Sequence, residues 1–284
     1  MTSKDEYLML PRLLSLVLVS SLLLTAAPVG TSLQSPSPIE TGFRQMYNLE
    51  FTQAHQTFAE WEQQHPNDPL GPASNAAAYL FAEFDRLNIL HSEFFVEDSL
   101  FKSRPKVHPD PAIRKAFDGE LAKAEQLADN ILNQSPDQTS ALFAKTIALG
   151  LRADYIALIE RRDLDSLKIV KASRALAEKL LSIDPSYYDA YLAVGVENYL
   201  LSIKPAPVRW FLRMNGAETD RDRGIQDLTL TAAKGHYLSP YARLLLAVAA
   251  LRGNDRPKAA ELLAELAREF PHNRLYTQEL ARLK

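Results

Sequence analysis

The sequence predicts an all-α fold of stacked helical hairpins, and three observations carry that expectation. A four-point pattern recurs: a small residue, further residues four and seven positions on, then a proline at twelve. Its copies are Ala54/Phe58/Trp61/Pro66, Ala124/Ala128/Ile131/Pro136, Ser173/Ala177/Leu180/Pro185 and Ala259/Leu263/Leu266/Pro271. A step of four and then three keeps three side chains on one helix face, and the proline forbids continuation of that helix. Second, long stretches are rich in Ala, Leu, Glu, Lys, Gln and Arg, which are good helix formers. Third, the 284 residues include only 10 glycines, and no alternating β-branched runs stand out. Repeated, proline-ended amphipathic helices mark an architecture in which each unit packs on its neighbours.

In chain order, the first feature is an uncharged apolar run, Leu13 to Ala27. It is shorter than the roughly 20 residues a spanning helix needs. Thr25-Ala26-Ala27 supplies small residues for cleavage, so residues 1–27 read as a secretory signal peptide. That predicts an exported chain, periplasmic or secreted; the alternative is a retained membrane anchor over residues 13–27. Residues 28–38 form a Pro/Ser-rich linker, and residues 39–284 form the helical repeat domain. Hairpins are expected at about 39–50 with 52–65, 70–92 with 112–134, 138–160 with 163–183, 187–203 with 218–235, and 240–252 with 255–270. A last helix at about 273–283 combines Leu275, Leu280 and Leu283 with charges, as a cap with one wet face would.

The pattern resembles the tetratricopeptide repeat, a helix–turn–helix unit of about 34 residues. In that family a small residue opens the second helix, an aromatic or Leu follows one turn later, and a proline ends it. Ala54, Phe58 and Pro66 match in the first unit, and Ala259, Leu263 and Pro271 in the last. Ala124 with Pro136, and Ala177 with Pro185, fall between them. Gly42, Ala76, Gly195 and Ala247 stand where the first helix crosses the second closely. A degenerate unit puts Gly224 and Leu228 in the first two places, with no proline. The repeats are expanded, because successive prolines lie 70, 49 and 86 residues apart (136−66, 185−136, 271−185). The extra length falls around 93–111, 156–165 and 204–217.

Composition and motifs narrow the chemistry. A net charge of −3 gives no basic excess for nucleic acid, and the absence of cysteine removes disulfides, thiolate metal sites and cysteine nucleophiles. No glycine pair has dinucleotide or P-loop spacing, and no Ser sits in a nucleophile elbow. None of the six histidines has another three or four residues away, so no helix face offers a metal pair. Glu83, Asp85, Glu93, Glu97 and Asp98, with His91, make the densest acidic cluster; it reads as a solvated face with caps, or as a paired-carboxylate site.

Tetratricopeptide arrays bind partners on the concave face, which first helices line. The resemblance places Leu80, Phe81, Phe143, Leu192, Val196, Tyr199, Tyr241, Leu244 and Val248 there. This face is apolar, so it either accepts an apolar helix or extended segment or is filled by the insertions. Arg209, Trp210 and Phe211, in one insertion, are either a partner or membrane-interface anchor or extra core for a wide hairpin. The expected function is a non-enzymatic protein–protein interaction scaffold in the cell envelope, with no cofactor or metal and an unidentified protein or peptide partner. The alternatives are a membrane-tethered envelope assembly factor and a hydrolase-like enzyme with an acidic site near 83–98.

Overall fold

Ser37 opens the first helix by a reciprocal cap that the sequence spells as Ser-Pro-Ile-Glu. Its hydroxyl accepts from the Glu40 backbone N–H at 3.2 Å, and the Glu40 carboxylate accepts from the Ser37 N–H at 2.8 Å. Pro38 occupies the first helical position, where a missing N–H costs nothing. The structure, a computed structural model, describes residues 36–90, 107–202 and 220–283. The signal-peptide reading of residues 1–27, most of the linker, and Arg209, Trp210 and Phe211 lie outside them.

The described residues hold eleven α-helices and no strand. They are α1 Pro38–Tyr47, α2 Phe51–Gln64, α3 Leu70–Arg86, α4 Pro111–Gln134, α5 Thr139–Asp154 and α6 Asp163–Ile183. Then come α7 Tyr191–Ser202, α8 Arg221–Lys234, α9 Ser239–Arg252, α10 Arg256–Glu269 and α11 Arg274–Arg282. A π-helical turn, Tyr155–Ile159, prolongs α5, and a short 3-10 turn, Tyr188–Ala190, precedes α7.

Four of the stops share one cause. His65, Ser135, Asp184 and Phe270 each precede a proline, and their φ angles all lie between −126° and −137°. The proline ring clashes with an α-conformation at the preceding residue and pushes it toward the extended region. α3 is shorter than its pattern suggests: it ends at Arg86, and Asn88 follows with φ of 53°. α1 stops the same way, just before Leu49 at φ 61°. α8 begins at Arg221 because the Asp220 carboxylate caps the N–H groups of Asp222 and Arg223.

Each helix packs on the next in sequence from α1 to α11, and α3 also packs on α1 and α5. Small residues set the approach. Ala54, Ala124, Ala177 and Ala259 are fully buried, with Phe58 and Leu263 beside two of them. A Cβ on Gly42 would fall 2.3 Å from the Phe58 ring. Between α7 and α8 the contact is backbone on backbone: a Cβ on Gly224 would lie 2.7 Å from Tyr199 N and 3.0 Å from Gly195 O. Such crossings bring helix axes close enough for continuous packing. α3 is buried on nearly every side and forms the centre of the core.

Candidate functional site

The face that first helices would offer to a partner is where the first and last described hairpins meet. Tyr47 of α1 is buried and contacts Phe81 of α3 edge-on at 5.7 Å and Phe270, just after α10, at 5.8 Å. Phe43 of α1 lies 5.4 Å from Tyr237, which precedes α9, and Tyr237 stacks on Phe143 of α5 at 5.9 Å. Tyr241 of α9 meets Phe81 at 5.4 Å. These are favourable aromatic geometries, and they join the first, middle and last hairpins into one core.

Of the two readings of this face, the packing disfavours a groove open to a partner. Leu80 and Phe143 are 1% and 0% exposed, so no partner reaches them in this conformation. Leu244 is buried in the same cluster, and Phe81 and Tyr241 pack against it. Leu192, Val196 and Tyr199 form a second, smaller cluster with Leu228 of α8. Val248 is half-buried. Among the described residues, the last hairpin packs onto this face through Tyr237, Tyr241 and Leu244, and no local pattern announces a contact between segments more than 200 residues apart.

A polar rim surrounds this apolar closure. Arg44 of α1 pairs with Glu269 at 2.7 Å, and Arg243 of α9 pairs with the other oxygen of Glu269 at 2.6 Å. Burial acts to raise the Glu269 carboxyl, but the two guanidinium groups outweigh it and hold it below the usual range. His272 Nδ1 lies 2.8 Å from Glu50 Oε1, and the His272 backbone N–H donates to Asn48 Oδ1 at 3.0 Å. Asn273 caps α11 with its oxygen and donates its Nδ2 to the Tyr47 carbonyl at 2.7 Å. Arg274 pairs with Asp85 at 2.8 Å, and His236 stands 3.6 Å from Glu40. A small cavity of about 30 Å³ lies behind the rim, lined by Met46, Phe84, Leu244 and Tyr276 among others. That is room for one or two waters, far less than a substrate needs.

The acidic cluster divides. Glu83 is 1% exposed and fully committed: both oxygens accept from Arg86, and one also accepts the Asp110 backbone N–H at 2.8 Å. It ties the start of α4 to α3. Asp85 belongs to the rim described above, and His91, Glu93, Glu97 and Asp98 lie outside the described residues.

Two polar arrangements escaped the sequence reading. Asn75, buried in α3, donates to Glu62 of α2 and Glu120 of α4, both at 3.2 Å, while its oxygen lies 2.6 Å from His55 Nδ1. Lys123 pairs with Glu62. Burial first, and the Glu62 charge second, push the Glu120 carboxyl up to about 7. Deeper in, the Asp154 carboxyl accepts a long 3.4 Å bond from the Tyr241 hydroxyl, and burial pushes it up to about 7. These residues come from five helices at unrelated spacings, so only the fold brings them together. Among the described residues no cluster of three or more His, Asp or Glu side chains could hold a metal ion. No described helix is long and apolar enough to cross a membrane. No protein-family model matches the chain, and no curated protein matches it.

Proposed function

We propose that this protein is an exported, tetratricopeptide-like helical scaffold that captures a partner protein or peptide and catalyses no reaction. One observation carries the reading. Every helix packs on its sequence neighbour, with small residues at the crossings and a proline after four of the second helices. Such an array holds a rigid surface over a long chain, and repeat arrays use that surface for binding. The commitment of Glu83 to Arg86 and Asp110 disfavours the acidic-site enzyme, since a paired-carboxylate mechanism needs a carboxyl free to exchange protons.

With Leu80 and Phe143 inside the core, the partner contact falls to the insertions, and Arg209, Trp210 and Phe211 are its best anchors. The test is cross-linking in the native host followed by affinity purification, comparing the natural chain with a Trp210→Ala/Phe211→Ala variant. One dominant partner, lost from the variant while helical circular dichroism survives, is the expected outcome. Equal capture by both chains removes the insertion from the proposal. Loss of the in vivo phenotype in Glu83→Gln, with unchanged thermal stability, restores the enzyme. N-terminal sequencing of the mature chain decides export: an intact Met1 favours the anchored alternative.

A further inference from the structure

We infer that the seam between α1–α3 and α9–α11 opens as a unit while every helix stays on its sequence neighbour, so that the last hairpin and α11 form a removable cover. Three independent features converge on this. First, each helix packs mainly on its neighbours, and the helices α1–α3 approach the helices α9–α11 only sparsely; the seam is bridged by side chains and by the loop residues Asn48, Phe270, His272 and Asn273. Breaking the seam therefore leaves every neighbour interface intact. Second, the polar links across it are largely exposed at one partner. Arg44 is 54% exposed in its pair with Glu269, His272 68% against Glu50, and Arg274 59% against Asp85 of α3, while the Asn273 bond to the Tyr47 carbonyl is the buried exception. Exposed pairs contribute little each and are screened by salt. Third, the packing behind the rim is imperfect, because the cavity lies on the seam itself, with Met46 on one side and Leu244 on the other.

The aromatic contacts of Phe43 with Tyr237 and of Tyr47 with Phe270 oppose opening. They keep the open form a minor species, of the sub-global kind that exchange methods detect. Opening would bare Phe81, Tyr241 and Leu244 to solvent. The inference is independent of the insertion contact proposed above, and its test needs no partner.

Because the chain contains no cysteine, a single introduced thiol is an unambiguous reporter. Three variants are compared by iodoacetamide labelling: Leu244→Cys and Met46→Cys on opposite sides of the seam, and Leu180→Cys, buried within α6. The two seam thiols are expected to react at least tenfold faster than Leu180→Cys at low salt. Their rates should rise together several-fold by 0.5 M sodium chloride, or when Arg44→Ala and Arg274→Ala are added, with helical circular dichroism unchanged. Labelling of all three thiols at one common rate means that only global unfolding exposes them, and the inference falls. Seam rates that ignore both salt and the two arginine substitutions overturn it equally. If one seam variant fails to fold, the other decides the question.

Discussion

At Gly224 one methyl group is too much. An added Cβ would sit 2.7 Å from Tyr199 N and 3.0 Å from Gly195 O, and backbone atoms cannot swing aside as a side-chain tip can. Alanine ordinarily favours a helix over glycine by about 1 kcal/mol. Here the forced separation of α7 and α8 outweighs that gain, so Gly224→Ala should lose roughly 1–3 kcal/mol, read as a lower urea midpoint. An unchanged or higher midpoint would show that the crossing is loose. Charge acts at the same scale. The Glu120 and Asp154 carboxyls stand at about 7 in the folded chain, above their ordinary values of 4.5 and 3.8. The folded state then holds protons that the unfolded chain has released, so their contribution is fully present below pH 4 and is lost as pH rises through 7. Stability is expected to fall between about pH 4 and pH 7. Glu120→Gln and Asp154→Asn should flatten that slope, and a slope that survives the double variant assigns it to other groups.

Among elements, the buried Asp189 shows how one side chain fixes a connection. Its two oxygens accept the backbone N–H groups of His236, Tyr237 and Leu238 at 2.9, 3.1 and 2.8 Å. Those three donors belong to the loop between α8 and α9, so Asp189 aims α9 from the turn before α7. Gly235 stands in the same loop because a Cβ there would meet Thr231 O at 2.6 Å and Asp189 Oδ1 at 2.8 Å. Asp189→Ala leaves several partly buried donors without an acceptor, at about 1–3 kcal/mol for each buried one. A total loss of roughly 3–5 kcal/mol is expected by chemical denaturation, with Asp189→Asn recovering part of it. Equal losses in the two variants would mean that shape, and not hydrogen bonding, matters at this position.

For the whole molecule, the closure of the two ends couples hairpins that a linear array would leave independent. Tyr47 is the link, touching Phe43, Phe81 and Phe270 at 6.3, 5.7 and 5.8 Å. Truncating a buried aromatic costs about 3–5 kcal/mol. In Tyr47→Ala that loss should also broaden or split the thermal transition, because fewer interactions then join the first and last hairpins. A variant that still melts in one sharp step would place the cooperativity in the neighbour interfaces.

The sequence by itself determined the all-α class, the helix order and most of the helix ends. These depend on short-range causes: periodicity over a few turns, Asp220 and Asn273 as caps, and the conformation imposed before Pro66, Pro136, Pro185 and Pro271. Even there, the stops at Tyr47 and Arg86 escaped it, since nothing but the left-handed turns at Leu49 and Asn88 marks them. Only the tertiary structure decided what the apolar inner face meets. Leu80, Phe143 and Leu244 carry the same hydrophobic pattern whether a partner, an insertion or the chain's own far end covers them. The Glu62–Asn75–Glu120 contact and the Asp154–Tyr241 contact escaped for the same reason: an interaction across helices depends on how the helices are stacked, and a local pattern holds no record of that.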